Sequence, residues 1–398
     1  MITNFANNFP AVTSPADSLS LLQALTAPNY RPTASLLMEP LRLFTPGPVP
    51  IEPHILAIGG SQPPYNRTPE FSALTHEILA GLQSVFQTTG PVALLTASGT
   101  AAMEAAVLNF LTPADHALII NGGTWGQRWC DICNVHSVSY DELTLQPGQD
   151  IDTAQLRERL SLSRYTALLV NAHETSTGQL YDIQSIGKIA REHGVLFIVD
   201  GISTICADPF AMDNWNVDVT ILSSQKALAL PPGLSFVAMN PQTARRLANA
   251  KPKSFYLDLH TCLENQKRGQ LPFTPAIGLM LQLHQRLADI QQETLPELVK
   301  RHRLRAELFR AAIKGLEFDV LPSRSSNAMT ALSCGKMDAS EVTKCLRTQY
   351  RIVVAPSGGE LRSKLIRIAH MGVQEPTDVE ILIAALTEID ATSCKGRL

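Results

Sequence analysis

Charge of one sign, long apolar runs and internal repeats are all missing from this chain. It has 33 basic and 36 acidic side chains, a formal net charge of −3, and no basic or acidic run. That balance disfavours binding to nucleic acid or to an anionic membrane surface, since both attract clustered positive charge. No apolar run approaches the roughly 20 residues of a membrane span, and the first residues do not resemble a signal peptide. These absences predict a cytoplasmic protein with no membrane and no nucleic-acid partner.

The cysteines follow no pattern that indicates a site. There are seven, an odd number, and they are scattered along the chain. Cys130 and Cys133 form a C-x-x-C, but they lie in a helix-like stretch without a second pair, which disfavours a metal or redox site. We therefore expect reduced thiols, as in a cytoplasmic protein, and no bound metal.

Length and composition predict two domains. Hydrophobic residues make up 45% of the 398 residues and charged residues 17%, which is typical of a globular protein whose chain is too long for one small core. A change of composition after Glu293 predicts a large domain over 43–293 and a smaller α+β domain over 294–398. Residues 1–42, rich in Ser, Thr, Pro, Asn and Ala, are predicted to form an N-terminal arm.

Strand and helix patterns alternate through the predicted large domain. Such alternation indicates an α/β fold, a mostly parallel sheet with helices on both faces, whose ligands bind at the carboxyl ends of the strands. The predicted strands span 92–96, 117–121, 137–140, 166–171, 195–200 and 217–222, and the predicted helices span 70–87, 100–110, 124–134, 183–193, 276–291 and 294–314. The smaller domain has predicted strands at 328–333, 351–354 and 365–369 and predicted helices at 339–348 and 376–388.

One lysine and one aspartate end two of the predicted strands. Lys226 follows the apolar run 217–222, and Asp200 ends the run 195–200, 26 residues earlier. A lone lysine is more often a surface residue, but this pair suits pyridoxal phosphate: a lysine forms a Schiff base with its aldehyde, and a carboxylate keeps its pyridine nitrogen protonated. We therefore predict that Lys226 and Asp200 are catalytic.

The sequence around these residues resembles a known family. Ser223-Ser-Gln-Lys-Ala-Leu228 followed by Pro231-Pro-Gly233, behind Val199-Asp-Gly-Ile-Ser203, resembles the class V, fold type I pyridoxal-phosphate aminotransferases, nearest to the alanine/serine–glyoxylate branch. The resemblance covers most of the chain, from about Leu43 to Ile389. It implies a pyridoxal 5′-phosphate enzyme with amino acid and 2-oxo acid substrates that works as a homodimer. It also implies an N-terminal arm that reaches the partner subunit, although a loosely held tail stays an alternative.

A turn from a strand into a helix is the predicted phosphate site. Thr96-Ala-Ser-Gly-Thr100 places small residues with donors at a helix N-terminus, where anions bind favourably. Such caps begin many helices, and the resemblance is what favours this one. We name Ser98, Gly99, Thr100 and Gln225 the phosphate cup. The resemblance also implies that Thr274 reaches the partner's phosphate, while Leu271 or a near neighbour replaces a tyrosine that relatives have.

Further site residues follow from the resemblance. Trp125, between glycines after a strand, is expected to stack on the cofactor rather than to pack in the core, and Thr175 is expected to bond its phenolic oxygen. His173 and Glu174 are either supports of the same wall or structural residues. Arg367, inside an apolar strand, matches the arginine that holds the substrate α-carboxylate, with an internal salt bridge as the alternative. Arg67 is a second substrate-binding candidate near the entrance.

The phosphate cup indicates shared active sites. As read from the sequence, it has no lysine or arginine beside it. The stretch from Ser254 to Pro275 has few helical signals, and so long a loop is unusual inside a compact domain. Both features favour a homodimer interface there.

Three other functions stay open. A phosphonate transaminase shares the family, although such relatives differ around the lysine. A lyase such as a cysteine desulfurase needs a cysteine on a mobile loop of the small domain, and the loop Ala355–Gly359 has none. A catalytically idle aminotransferase-like subunit would not need Lys226, Asp200 and Arg367 together.

Overall fold

The described part of the chain is built from strands and helices in alternation. The computed structural model describes residues 41–162, 165–247 and 252–393. The strands within these ranges are β1 (Arg42–Phe44), β2 (Val92–Leu95), β3 (His116–Asn121), β4 (Ser139–Thr144), β5 (Ala167–Asn171), β6 (His173–Glu174), β7 (Gln179–Leu180), β8 (Leu196–Asp200), β9 (Val219–Ser223), β10 (Ser235–Met239), β11 (Asp319–Val320), β12 (Met329–Ser333), β13 (Ile352–Pro356) and β14 (Leu365–Ala369).

The helices account for most of the remaining described residues. They are α1 (Pro53–Gly59), α2 (Pro69–Phe86), α3 (Gly99–Phe110), α4 (Thr124–Val135), α5 (Thr153–Ser161), α6 (Ile183–Glu192), α7 (Pro241–Leu247), α8 (Leu259–Gln266), α9 (Ile277–Glu293), α10 (Leu295–Ala312), α11 (Ala339–Gln349) and α12 (Pro376–Ser393). Most of the predicted elements lie within two or three residues of these bounds, and α1, α5, α7 and α8 are additional.

A seven-stranded sheet is the centre of the large domain. Its strand order is β2-β10-β9-β8-β5-β3-β4. All neighbours are parallel, except that β10 runs antiparallel to both β2 and β9. The predicted α/β class with a mostly parallel sheet is confirmed. The sequence prediction missed β10, because a short, continuous apolar run shows no periodicity that identifies a strand.

Helices cover both faces of this sheet. Successive side chains of β3 enter different cores, Leu118 and Ile120 on one face and Ala117 and Ile119 on the other. Helices α2, α6 and α9 pack against the first face, and α3 and α4 against the second. Burial on both faces explains why the central strands are continuous apolar runs. It leaves the strand ends as the places where polar side chains can gather.

A second sheet has its own hydrophobic core. Its strand order is β1-β13-β14-β12-β11, and its core includes Phe309, Leu332 and Leu386. Strand β1, which the sequence prediction did not include, pairs with β13, so this sheet uses chain from before the large sheet as well as after it. Thr294, with φ +73°, separates α9 from α10, and the division at 293/294 stays a prediction.

The segment from Ser254 to Pro275, in which the sequence showed few helical signals, contains a helix, and its predicted role as an interface stays a prediction. This helix is α8, whose N-cap Asp258 accepts a hydrogen bond from the His260 N–H at 3.1 Å. Gln266 on this helix is buried and bonds the backbone of β2. Its Oε1 accepts from the Leu94 N–H at 2.8 Å, and its Nε2 donates to the Val92 carbonyl at 2.7 Å. The helix is short, and its buried positions include the polar Gln266, which hydrogen-bonds the backbone of β2. The sequence therefore shows no apolar stripe with helical periodicity there.

Membrane-spanning helices and metal-binding clusters are both absent from the described ranges. None of the helices there has the length and apolar character needed to cross a bilayer, and no group of metal-ligating side chains occurs among the same residues. The six described cysteines are buried and form no disulfide with one another. The predicted N-terminal arm lies almost entirely in residues 1–40, outside the described residues.

Candidate active site

Lys226 lies in the turn after β9, at the edge where the parallel strands end. Its Nζ donates a hydrogen bond to the Pro46 carbonyl at 2.8 Å. A Cβ at Gly47 would approach that Nζ to 2.6 Å, and the residue has a φ of +149°, so glycine is needed there. The Phe44–Pro48 turn therefore packs directly on the lysine.

The charge state of Lys226 is set by its surroundings. Burial lowers its pKa to about 8, and the positive charges of Arg367 and Arg128 act in the same direction, while Asp200 opposes them. A substantial neutral fraction therefore exists near neutral pH. The neutral amine is the form that attacks a carbonyl carbon.

Two polar contacts hold the lysine turn in shape. Ser224 Oγ donates to the Pro231 carbonyl at 2.7 Å, which closes the turn behind Lys226. Arg286, buried on α9, donates its Nε to the Leu228 carbonyl at 2.9 Å. The position of Lys226 thus depends on the helix behind it as well as on its own strand.

Asp200 ends the neighbouring strand β8 and is buried. One carboxylate oxygen accepts from Asn171 Nδ2 at 2.7 Å and the other from the Ile202 N–H at 2.8 Å. Burial nevertheless raises its pKa to about 6. Asn171 was not predicted, although it ends β5 and lies opposite Asp200 in register. A polar residue at the end of the adjacent strand run was the signal for it.

The first three residues of the phosphate cup begin α3. Ser98 precedes the helix and is exposed, and its hydroxyl makes no capping hydrogen bond to it. Gly99 is required by close packing, because a Cβ there would approach Ile202 Cδ1 to 2.5 Å and Ser223 Oγ to 3.2 Å. Strand β2 thus delivers a helix N-terminus with free hydroxyl donors to the same sheet edge.

Trp125 is fixed by a buried carboxylate at the start of α4. Glu174 Oε2 accepts from the N–H groups of Trp125 and Gly126, each at 3.0 Å. Ser176 Oγ donates to Glu174 at 2.5 Å and accepts from the Thr124 N–H at 3.2 Å. Burial raises the pKa of Glu174, and these hydrogen bonds to its charged form oppose that shift. Glu174 is therefore a positioning residue for Trp125.

Arg128 corrects the expectation that the phosphate cup lacks a cation. It lies one helical turn after Trp125, and its guanidinium carbon is 4.2 Å from the centre of the Trp125 ring. Its Nη1 donates to Thr100 Oγ1 at 2.8 Å. The sequence interpretation considered only neighbours along the chain, whereas a helix brings in a residue from another segment. Gln225, the remaining residue of the phosphate cup, is half-buried beside Lys226.

Arg367 on β14 approaches the same edge from the second sheet. Its Nη1 donates to the Thr175 carbonyl at 3.0 Å, and its Nη2 donates to the Pro356 carbonyl at 2.8 Å. Among the described residues it forms no ion pair, so the internal salt bridge is absent there. His173, two residues before Thr175, is buried. This burial lowers the pKa of His173 to about 3, so its imidazole stays neutral.

Two other predicted site residues are exposed in this chain. Arg67 is exposed, and its Nη1 contacts Gln270 Oε1 at 3.4 Å. Thr274, a few residues further along that segment, is also exposed. Leu271 is buried and lines a small cavity together with residues of β2. Its side chain has no hydroxyl, so it cannot replace the tyrosine that relatives have. Both Arg67 and Thr274 are therefore open to solvent in this chain.

Comparison with known proteins identifies the family. The aminotransferase class-V family model matches residues 65–372. This chain belongs to the class V aminotransferases. It is 31% identical to the soluble hydrogenase 42 kDa subunit of Anabaena cylindrica, over 87% of this chain and 92% of that protein. It is also 31% identical to the serine–glyoxylate aminotransferase of Arabidopsis thaliana, over 83% and 85%. The crystal structure of an alanine–glyoxylate aminotransferase from Nostoc sp. superimposes with a TM-score of 0.85 at 28% identity, over 91% and 98%.

This class V aminotransferase is a pyridoxal-phosphate enzyme, and its residues fit that cofactor. An amine of lowered pKa, a buried carboxylate and a helix N-terminus with a cation lie along one sheet edge. Several buried polar atoms in this region have no hydrogen-bond partner among the described residues, including Trp125 Nε1, Asn171 Oδ1, Ser223 Oγ and both ring nitrogens of His173. Buried polar atoms are rarely left unpaired, so these atoms indicate where a polar group binds.

The cysteines of the second sheet do not supply a desulfurase nucleophile. Burial raises the pKa of Cys334 to about 12, and burial also raises the pKa of Cys345. A thiolate is the reactive form of cysteine, and neither residue provides it near neutral pH. The class V aminotransferase is a transaminase, so the lyase and the idle subunit are set aside.

Proposed function

We propose that this enzyme transfers an amino group from a small amino acid, alanine or serine, to glyoxylate or pyruvate by a ping-pong cycle. The observation that carries the proposal is Arg367. Its guanidinium points its donors at two backbone carbonyls and has no carboxylate partner among the described residues. A planar fork of this kind suits the carboxylate that an amino acid and a 2-oxo acid share. Two of the relatives described above are named for glyoxylate, which supports that acceptor.

Three residues of this chain carry the chemical step in this proposal. Bound pyridoxal phosphate supplies an electron sink that acidifies the Cα–H bond of the amino acid. Arg367 would orient the substrate by its carboxylate, and neutral Lys226 Nζ would take up the Cα proton as general base and deliver it as general acid to a different carbon in the product-forming step. Asp200 would favour the protonated form of the cofactor's pyridine nitrogen, and the hydrogen bond from Asn171 fixes the orientation of the Asp200 carboxylate. Trp125 and Thr175 are proposed to hold the ring.

Arg367→Lys should separate carboxylate recognition from the rest of the reaction. The variant keeps the charge and loses the paired donors. Charge-assisted hydrogen bonds contribute about 1.5–3 kcal/mol, so we expect KM for alanine, serine, glyoxylate and pyruvate to rise about 10- to 100-fold. The measurement is a panel of these donors and acceptors, together with ethylamine, which has no carboxylate.

Arg310→Lys is the matched control, since Arg310 is a partly buried arginine that bonds Ser326 O at 3.1 Å away from the lysine turn. It should leave these KM values unchanged. If the parent enzyme used ethylamine as well as alanine, carboxylate recognition by Arg367 would be refuted. Activity confined to a phosphonate donor would refute the proposed substrates and leave the transaminase assignment intact.

We also propose that the working unit is a homodimer whose two active sites are shared. Arg67 and Thr274 are both exposed in this chain, and the resemblance implies that Thr274 bonds the partner's phosphate. Thr274→Ala should weaken cofactor binding roughly 3- to 10-fold, the effect of about one neutral hydrogen bond. Cofactor that contacts both chains should also stabilise the dimer, because it binds the assembled state better.

The measurement is sedimentation of the parent and of Thr274→Ala, with and without pyridoxal phosphate. Thr89→Ala is the control, because Thr89 is another exposed threonine, bonded to Asp213 within its own chain at 3.0 Å. An active monomer at assay concentrations would rule out shared sites.

A further inference from the structure

We propose that Arg128 is the cation that binds the cofactor's phosphate. The proposal rests on the proposed function, since it takes the phosphate cup as the phosphate site. Arg128 Nη1 donates to Thr100 Oγ1 at 2.8 Å, so the guanidinium lies beside the first turn of α3. Within the described ranges this is its one hydrogen bond, and it forms no ion pair there. Its remaining N–H donors are available to an anion.

The two helix N-termini near the site differ in what they can bind. The first N–H groups of α4 are taken by Glu174 and Ser176. Among the residues that the structure describes, the first N–H groups of helix α3 have no such side-chain partner, and the hydroxyl of Ser98 makes no cap. An anion is therefore accepted at α3 and excluded at α4, and Arg128 faces the first of these.

The charge balance of the phosphate cup requires a cation. Its hydroxyl and amide donors are neutral, and a helix N-terminus supplies only about half an elementary charge. A phosphate of charge near −2 would stay largely uncompensated without a side-chain cation, and burying uncompensated charge is costly. Arg128 supplies one full charge from its own subunit. The charge of Arg128 opposes the rise in the pKa of Asp200 that burial causes, and it adds to the lowering of the pKa of Lys226. Arg128 is therefore within electrostatic reach of both residues.

The Trp125 ring holds this guanidinium in place. A guanidinium carbon 4.2 Å from the ring centre is within cation–π distance. Residues three apart on a helix share one face, so α4 presents the ring and the cation together. Arginine suits this position better than lysine, because a planar guanidinium can stack and donate at the same time.

Arg128→Met tests the proposal by comparing two ligands. Methionine keeps an unbranched stem and removes the charge. We expect the Kd of the apoprotein for pyridoxal 5′-phosphate to rise about 10- to 100-fold, the usual effect of losing a charge-assisted contact. The Kd for pyridoxal, which lacks the phosphate, should change less than about threefold. Quenching of tryptophan fluorescence measures both, and Arg128→Lys should give an intermediate value for pyridoxal phosphate alone.

Arg191→Met is the control, because Arg191 is exposed and donates to Asn216 Oδ1 at 2.5 Å on the surface. It should leave both Kd values unchanged. Equal losses for the two ligands in Arg128→Met would overturn the proposal and assign Arg128 to ring stacking alone. A parent protein that binds pyridoxal phosphate no more tightly than pyridoxal would overturn the phosphate cup itself, and with it the proposed cofactor site.

A measurement on the unmodified chain avoids dependence on the variant's folding. An arginine-selective dicarbonyl reagent should label the Arg128 peptide of the apoprotein. Inorganic phosphate and pyridoxal phosphate should protect that peptide, while pyridoxal should not. Protection by pyridoxal alone, or labelling unaffected by phosphate, would overturn the proposal.

Discussion

Lys226→Ala is expected to abolish transamination while the protein still binds pyridoxal phosphate noncovalently. The substitution removes both the attachment point and the acid–base group, and loss of a general acid–base alone slows reactions about 10²–10⁴-fold. The phosphate cup, Arg128 and Trp125 remain to hold the ligand. Borohydride reduction of the parent enzyme followed by peptide mapping should label Lys226, and the corresponding absorption band should be missing from the variant.

Lys253→Ala is the matched control, because burial lowers the pKa of Lys253 as well. That lysine donates to the Leu111 carbonyl, whereas Lys226 donates to the Pro46 carbonyl. Its band and activity should match those of the parent. Since the pKa of Lys226 is about 8, cofactor attachment to the parent should accelerate with rising pH and level off above that value. A label on Lys251 or Lys253 instead would overturn the assignment.

Asp200→Asn should bind the cofactor and lose most of its turnover. An amide in place of the carboxylate no longer favours a proton on the pyridine nitrogen. Removing one preorganised electrostatic contact typically costs ~10²–10³ in kcat. Steady-state kinetics together with the absorption spectrum measure rate and binding separately.

Asp208→Asn provides the comparison for Asp200. Asp208 is also buried, and burial raises its pKa to about 6, but it bonds the Ser326 hydroxyl and the Asn327 N–H rather than Asn171. It should lower stability and leave kcat within about threefold of the parent. Should Asp200→Asn turn over as fast as the parent, the electron-sink role would belong to another acid.

The parts of the site that were predictable from sequence are those that a single segment determines. Lys226 and Asp200 each follow an apolar strand run, and strand ends of a parallel sheet meet at one edge, so local pattern and a general rule were sufficient. Asn171 and Arg128 depend on pairing between segments. Asn171 matters because β5 lies beside β8, and Arg128 because α4 turns it towards Thr100, 28 residues earlier.

The same distinction applies to the fold. The alternating strands and helices around the parallel core were recognisable because buried runs and helical periods are properties of one segment. Strand β10 and helix α8 were not. Strand β10 is an apolar run whose direction is fixed only by its neighbours β2 and β9, and α8 is defined by Asp258 and by the contacts of Gln266 with β2.

The antiparallel strand β10 also fixes the spacing of the two strands that lead into the candidate site. It lies between β9, which leads to Lys226, and β2, which leads to Ser98. Neighbouring strands are about 4.8 Å apart, so the two anchoring points start roughly 10 Å from each other. That interval is a property of the hydrogen-bonded sheet and not of any side chain. Substitutions along this edge change the side chains at the two strand ends. They leave the distance between strands β9 and β2 unchanged, because the backbone hydrogen bonds of the sheet fix it.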